Sequence, residues 1–258
     1  MKTVFITLLL AGIALTGLPQ PQSHNTGLKG KKVLIYTKNG KGYVHDNIPA
    51  SIKALQEICA EMGIAADTTT DPAAFTPGNL KQYDALIFSN TNNKVFDDES
   101  QKKALQEYIR GGGGFVGIHS ANATERDWPW MWAMVGGKFV RHAHHQKFTV
   151  VVTDPHHPST SFLPARWKVN DECYYSNELN PDIHVLLSAD LTTVEDKGRD
   201  EYPGRTFGDL FPLCWCHTWD GGREWYTALG HDASFYSDPL FRKHLAGGIR
   251  WAVGKDDR

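Results

Sequence analysis

Three short apolar runs constrain this chain most. "KKVLIYT" (31–37), "DALIFSN" (84–90) and "FVGIH" (115–119) each have strand length and lack polar alternation. A strand that is apolar on both sides must be covered on both faces, a condition met by a parallel sheet between helices. The intervening segments supply the helices. Ile48, Ile52, Leu55, Cys59 and Met62 recur at helical spacing, and a second helix is predicted from about Asp98 to Arg110. Gly111 to Gly114 end that helix, because the backbone just past a helix terminus favours the left-handed conformation. Strand–helix alternation predicts an α/β fold with right-handed crossovers and a ligand site beyond the carboxyl ends of the strands. Further strands are expected at 148–153, 183–189, 212–218 and 225–231, with a last helix starting near Asp238-Pro239. There is no internal repeat, and one domain over residues 31–254 is the economical organisation.

The chain has 258 residues with a formal net charge of −2 and no long basic run, which argues against a nucleic-acid partner. Residues 1–23 read as a signal peptide: Lys2 precedes the apolar stretch Val4 to Leu15, which is short for a bilayer span, and small residues follow. The expectation is a periplasmic or secreted protein, free of the membrane after cleavage. No Cys follows the apolar run, so a lipid anchor is not expected. Export would permit disulfides among Cys59, Cys173, Cys214 and Cys216, although buried packing is the ordinary role of such thiols.

The strand at 115–119 stops at a histidine. A sharp strand-to-helix elbow needs small residues two positions either side of its apex. With His119 at the apex these are Gly117 and Ala121; with Ser120 there they would be Ile118 and Asn122, a poor fit. His119 is therefore the residue presented at the strand tip. Imidazole suits a metal ligand or a proton shuttle near neutral pH.

Other polar groups fall at loops beside strands: His45 in "GYVHDN", His142 in "FVRHAHH", Asp171 and Glu172 in "NDECYYS", and His231 in "ALGHD". Two or three histidines with a carboxylate and one open position are the donor set of a catalytic Zn²⁺ or similar divalent ion. The same set without metal makes an acid/base pair. No local ligand spacing decides between them. No nucleotide cofactor is indicated.

These pieces together resemble the ThuA-like (trehalose utilisation) family. The matching segments are "YVHD", "GGGGFVGIHSA", "WPWMWAMVGGKF" leading to His142, "HHPS", "DECYYS", "ALGHD" and "GGIRWAVG". The resemblance implies a flavodoxin-like three-layer sandwich of the class I glutamine amidotransferase-like type, with a mostly parallel sheet. A working amidotransferase carries Cys at the elbow, where this chain has His119, so thiolate chemistry on glutamine is not expected. The implied role lies in sugar catabolism, on a 3-keto glycoside. His119, Glu172, Asp171 and His231 would form the catalytic centre, with Asp171 orienting a histidine. Any metal would sit on His45, His119, Glu172 and His231. Ser120, His142 and Asn92 would contact the sugar, and Trp130, Trp132 or Trp215 would stack on it. The rival reading is a non-catalytic carbohydrate-binding protein on the same scaffold, which would not need an imidazole-rich centre.

Overall fold

The computed structural model describes residues 28–254; the segment read as a signal peptide lies outside the described residues. The strands are β1 (Lys32–Tyr36), β2 (Ala65–Thr69), β3 (Ala85–Ser89), β4 (Gly114–Ile118), β5 (Lys138–His142) and β6 (Gln146–Val152). They continue with β7 (Arg166–Asp171), β8 (Tyr174–Asn177), β9 (His184–Asp190), β10 (Leu210–Trp219) and β11 (Gly222–Thr227). The α-helices are α1 (Ile48–Glu61), α2 (Pro77–Leu80), α3 (Glu99–Arg110), α4 (Pro129–Val135) and α5 (Pro239–Val253).

Nine strands form one sheet in the order β2-β1-β3-β4-β11-β10-β9-β6-β7, and β5 pairs with β8 in a separate ribbon. The first five strands in that order are mutually parallel, while every later neighbour pair is antiparallel. Seven of the nine strands thus point the same way, and only β10 and β6 run against them. The sheet lies between two helical layers. Gly248 of α5 packs on Trp225, whereas Ile109 of α3 and Gly136 after α4 reach Gly222 and Trp215 on the other side. α1 packs beside α5 and α2 beside α3. The fold is a flavodoxin-like three-layer sandwich.

The apolar runs 31–37, 84–90 and 115–119 become β1, β3 and β4, with β3 and β4 fully buried. Asp98 caps α3 by accepting from the Ser100 and Gln101 amides, and Asp238 caps α5 from Leu240 and Phe241. Sequence patterning missed two edge strands. β2 (AADTT) is mostly exposed and carries no hydrophobic signature. β7 alternates exposed and buried residues, a half-covered edge pattern that differs from the continuous runs elsewhere. The four cysteines are buried and free.

The glycine run acts through close approach as well as backbone freedom. Gly112 holds φ +88°, while a Cβ at Gly114 would collide with the Ala252 carbonyl of α5 and sit 3.1 Å from the Ala85 Cβ. Gly114→Ala should therefore lower stability by about 2 kcal/mol in urea titration, because α5 must shift off the sheet.

His244 of α5 is fully buried, with Nδ1 2.8 Å from the Ser159 carbonyl and Nε2 3.1 Å from the Thr227 hydroxyl. Burial pushes its imidazole down to about 4. A base that protonates less readily when folded stabilises the fold fully above its ordinary value near 6.5 and loses that contribution as pH falls toward 4. Stability should drop over this interval by an amount on the order of 3 kcal/mol from His244, and His244→Leu should flatten that part of the profile.

Candidate functional site

The site is built at the carboxyl end of β4. His119 has φ +54°, a left-handed conformation that non-glycine residues adopt at a cost on the order of 1–3 kcal/mol. A Cβ at Gly117 would lie 3.3 Å from the Ala121 Cβ and 3.0 Å from Tyr226, so both small residues are needed for the chain to turn. The Tyr226 hydroxyl donates to the His119 carbonyl at 2.8 Å and fixes the corner from the neighbouring strand. At the end of β3, Asn90 is also left-handed, with φ +54°, and its N–H donates to the Ile118 carbonyl at 3.2 Å. Buried Asn47, just before α1, binds three acceptors through one amide nitrogen. These are Asn90 Oδ1 at 3.0 Å and the carbonyls of Gly230 at 2.6 Å and His231 at 2.7 Å.

This corner fixes the His119 tautomer. Nδ1 lies 2.8 Å from the Ala228 carbonyl, which can only accept, so Nδ1 carries the proton and Nε2 presents a lone pair. Around Nε2 stand the Tyr174 hydroxyl at 2.9 Å, His45 Nε2 at 3.1 Å and His231 Nδ1 at 3.4 Å. Glu172 adds Oε2 at 3.8 Å from His119 Nε2 and 3.2 Å from His231 Nδ1, and its Oε1 is 3.3 Å from His142 Nδ1.

Burial, reinforced by the neighbouring His45, drives His119 well below its ordinary range. Burial and the nearby His231 bring His45 down to about 4. His231 moves upward because its ring hydrogen-bonds Glu172. At neutral pH the two deepest rings are thus neutral and available as ligands.

His45, His119 and His231 each offer a ring nitrogen, and these atoms lie within 4.8 Å of one another. A tetrahedral ion with nitrogens at roughly 2.0–2.1 Å separates its ligands by about 3.4 Å. The His119–His45 and His119–His231 separations of 3.1 and 3.4 Å fit that requirement. Glu172 stands beside them as a hard oxygen donor, so the donor set suits zinc or a similar divalent cation.

A cavity of about 310 Å³ opens above the cluster and is lined by His45, Ser120, Asn92, His142, Glu172 and His231. His119 is completely buried beneath its floor. Asp171 departs from its expected role. It touches no imidazole, and its carboxylate instead accepts the backbone N–H groups of Gly230, His231 and Glu172 at 2.7, 3.1 and 2.8 Å. Burial pushes it up to about 6 against those three donors. It therefore positions the main chain around His231.

The tryptophans also fall elsewhere. Trp215 is buried against Tyr226 with its indole N–H on the Val135 carbonyl, and Trp130 bonds Asp220. Neither they nor Trp132 line the cavity, where Tyr43, Phe139 and Tyr174 supply the aromatic wall.

Tyr174, Phe139 and Arg126 of this wall were not anticipated from sequence. Tyr174 follows Glu172 by two residues, and strand-like alternation would have put both on one face. Arg126 follows Glu125, which is left-handed at φ +49°, in an irregular loop that gives no periodic signal.

Imidazole ¹⁵N spectra should show His119 as the Nδ1–H tautomer, protonating only well below the ordinary histidine range. An Nε2–H ring would contradict the Ala228 contact, and an ordinary midpoint would contradict the burial of the ring.

The profile of the ThuA family, described as trehalose utilisation, matches residues 32–252. A ThuA-like protein from Bacteroides uniformis is 25% identical, with a TM-score of 0.71, over 93% of this chain and 97% of that one. One from Parabacteroides merdae is 20% identical, with a TM-score of 0.68, over 87% and 90%. The cytoplasmic protein STM3548 from Salmonella typhimurium shares the fold at 13% identity and TM-score 0.58, over 86% and 98%. No curated protein matches the chain. With the family profile covering nearly all the described residues and this architecture, the chain belongs to the ThuA family, on a glutamine amidotransferase-like fold.

Proposed function

We propose that this chain is an exported enzyme of carbohydrate catabolism that cleaves a 3-keto glycoside at a histidine–carboxylate centre holding a divalent ion. The observation that carries this reading is the convergence of three imidazole nitrogens and Glu172 under one cavity. A binding module has no need to hold two imidazoles neutral by burial beside a left-handed backbone. The apolar leader at residues 4–15 supports export.

His45, His119 and His231 would hold the ion. Its chemistry there is Lewis-acid polarisation of a substrate carbonyl. In a 3-keto glycoside the carbonyl acidifies the neighbouring C2–H. Glu172, which lines the cavity, takes that proton. The C–H electron pair becomes the new C1–C2 double bond as the C1–O bond breaks, and the departing oxygen takes a proton. The Glu172 carboxyl returns that proton to the aglycone, and His142, whose Nδ1 lies 3.3 Å from Glu172 and 3.0 Å from the Ala143 carbonyl, holds the carboxyl in place. Ser120 and Asn92 hydrogen-bond sugar hydroxyls, and Tyr43, Phe139 and Tyr174 cover its apolar face. Tyr174 also donates to His119 Nε2 and helps hold that ring in place.

Purified protein should contain about one divalent ion per chain, and His119→Ala or His231→Ala should remove it. Turnover of 3-keto-glucosides should fall at least about a hundredfold in both variants and in Glu172→Gln. Sugar binding without turnover, unaffected by His119→Ala, would instead make the chain a carbohydrate-binding module.

A further inference from the structure

One cation in the cavity has no counter-charge. Arg126 lines the wall, half-buried, and its contacts are all with neutral groups. Nε donates to the Ala123 carbonyl at 3.2 Å, Nη2 donates to Asn92 Oδ1 at 3.3 Å, and the guanidinium lies 5.3 Å from the centre of the Phe139 ring. Among the described residues no carboxylate pairs with it, and Nη1 has no protein acceptor. The adjacent acid, Glu125, is turned away. Its Oε1 accepts the Val95 and Phe96 amides at 2.7 and 3.2 Å, and its Oε2 lies 3.6 Å from Lys102. Glu172, the acid of the cavity wall, is occupied by His142 and His231.

A partly desolvated guanidinium without a counter-ion is unfavourable unless a ligand supplies one. Its planar edge of parallel N–H groups matches a two-oxygen anion better than a hydroxyl. We propose that Arg126 binds an anionic substituent of the substrate, so that the sugar handled here is acidic, carrying a carboxylate or a phosphate ester. This assignment rests on the carbohydrate reading above. Phe139 and Tyr174 line the same cavity and offer the sugar ring an apolar face beside Arg126. Arg126 acts here as a specificity residue: it orients the sugar, and the chemistry stays with the histidine–carboxylate centre.

The test is ligand-observed NMR titration of the purified, metal-containing protein with D-glucose, D-glucuronate and D-glucose 6-phosphate, repeated on Arg126→Met and Arg126→Lys. One or both acidic sugars should bind at least about tenfold tighter than glucose, and the stronger of the two identifies the anion. Arg126→Met should bring that preference to within about twofold, while Arg126→Lys keeps part of it. Unchanged thermal midpoints in both variants separate this loss from misfolding. Equal affinity for all three sugars overturns the proposal and leaves the carbohydrate reading standing. A preference that survives Arg126→Met also overturns it, by assigning the anion to the histidine cluster. Failure of both acidic sugars to bind the wild-type protein also overturns it, while the carbohydrate reading is judged separately by the turnover of 3-keto-glucosides.

Discussion

The backbone conformation of a single residue organises the site. On an ordinary strand His119 would continue the alternation of β4 and enter a helical layer. Its left-handed turn, given room by Gly117 and Ala121, keeps the ring at the carboxyl end of β4 instead. The Ala228 carbonyl then takes the Nδ1 proton, and the remaining lone pair faces His45, His231 and Tyr174. The orientation and protonation of the ring both follow from that one turn. The elbow that presents a thiol in amidotransferases here presents a neutral imidazole.

The electrostatics of the site divide by depth. The buried pair, His45 and His119, is kept neutral by loss of solvent, reinforced at His119 by His45 and at His45 by His231. Nearer the mouth, Glu172 interacts with His231 and His142, where water still reaches. A neutral, electron-rich floor under a charged rim suits a cation below and a polar ligand above.

Much of this was legible in the sequence, for reasons that particular residues make plain. Continuous apolar runs marked β1, β3 and β4, and parallel topology then required their carboxyl ends to share one rim. His119 followed from the small residues two places on either side of it. Glu172 and His231 stood out as polar groups beside strands, and the family resemblance gave them their roles. The tryptophans misled because an aromatic count carries no information about facing: Trp215 packs on Tyr226 inside the sandwich. Asp171 misled because carboxylates near histidines commonly bind rings, whereas here three backbone N–H groups surround it. Arg126 had no signal at all, since its place depends on Glu125 reaching the Val95 and Phe96 amides across the fold.

The amide of Asn47 ties together the two sides of the centre. Two loops distant in sequence, one carrying His45 and the other His231, hang from one side-chain nitrogen. Their spacing is thus held by the reach of an asparagine. A guest meets a receptacle already assembled and gives up little of its binding strength to gather the walls.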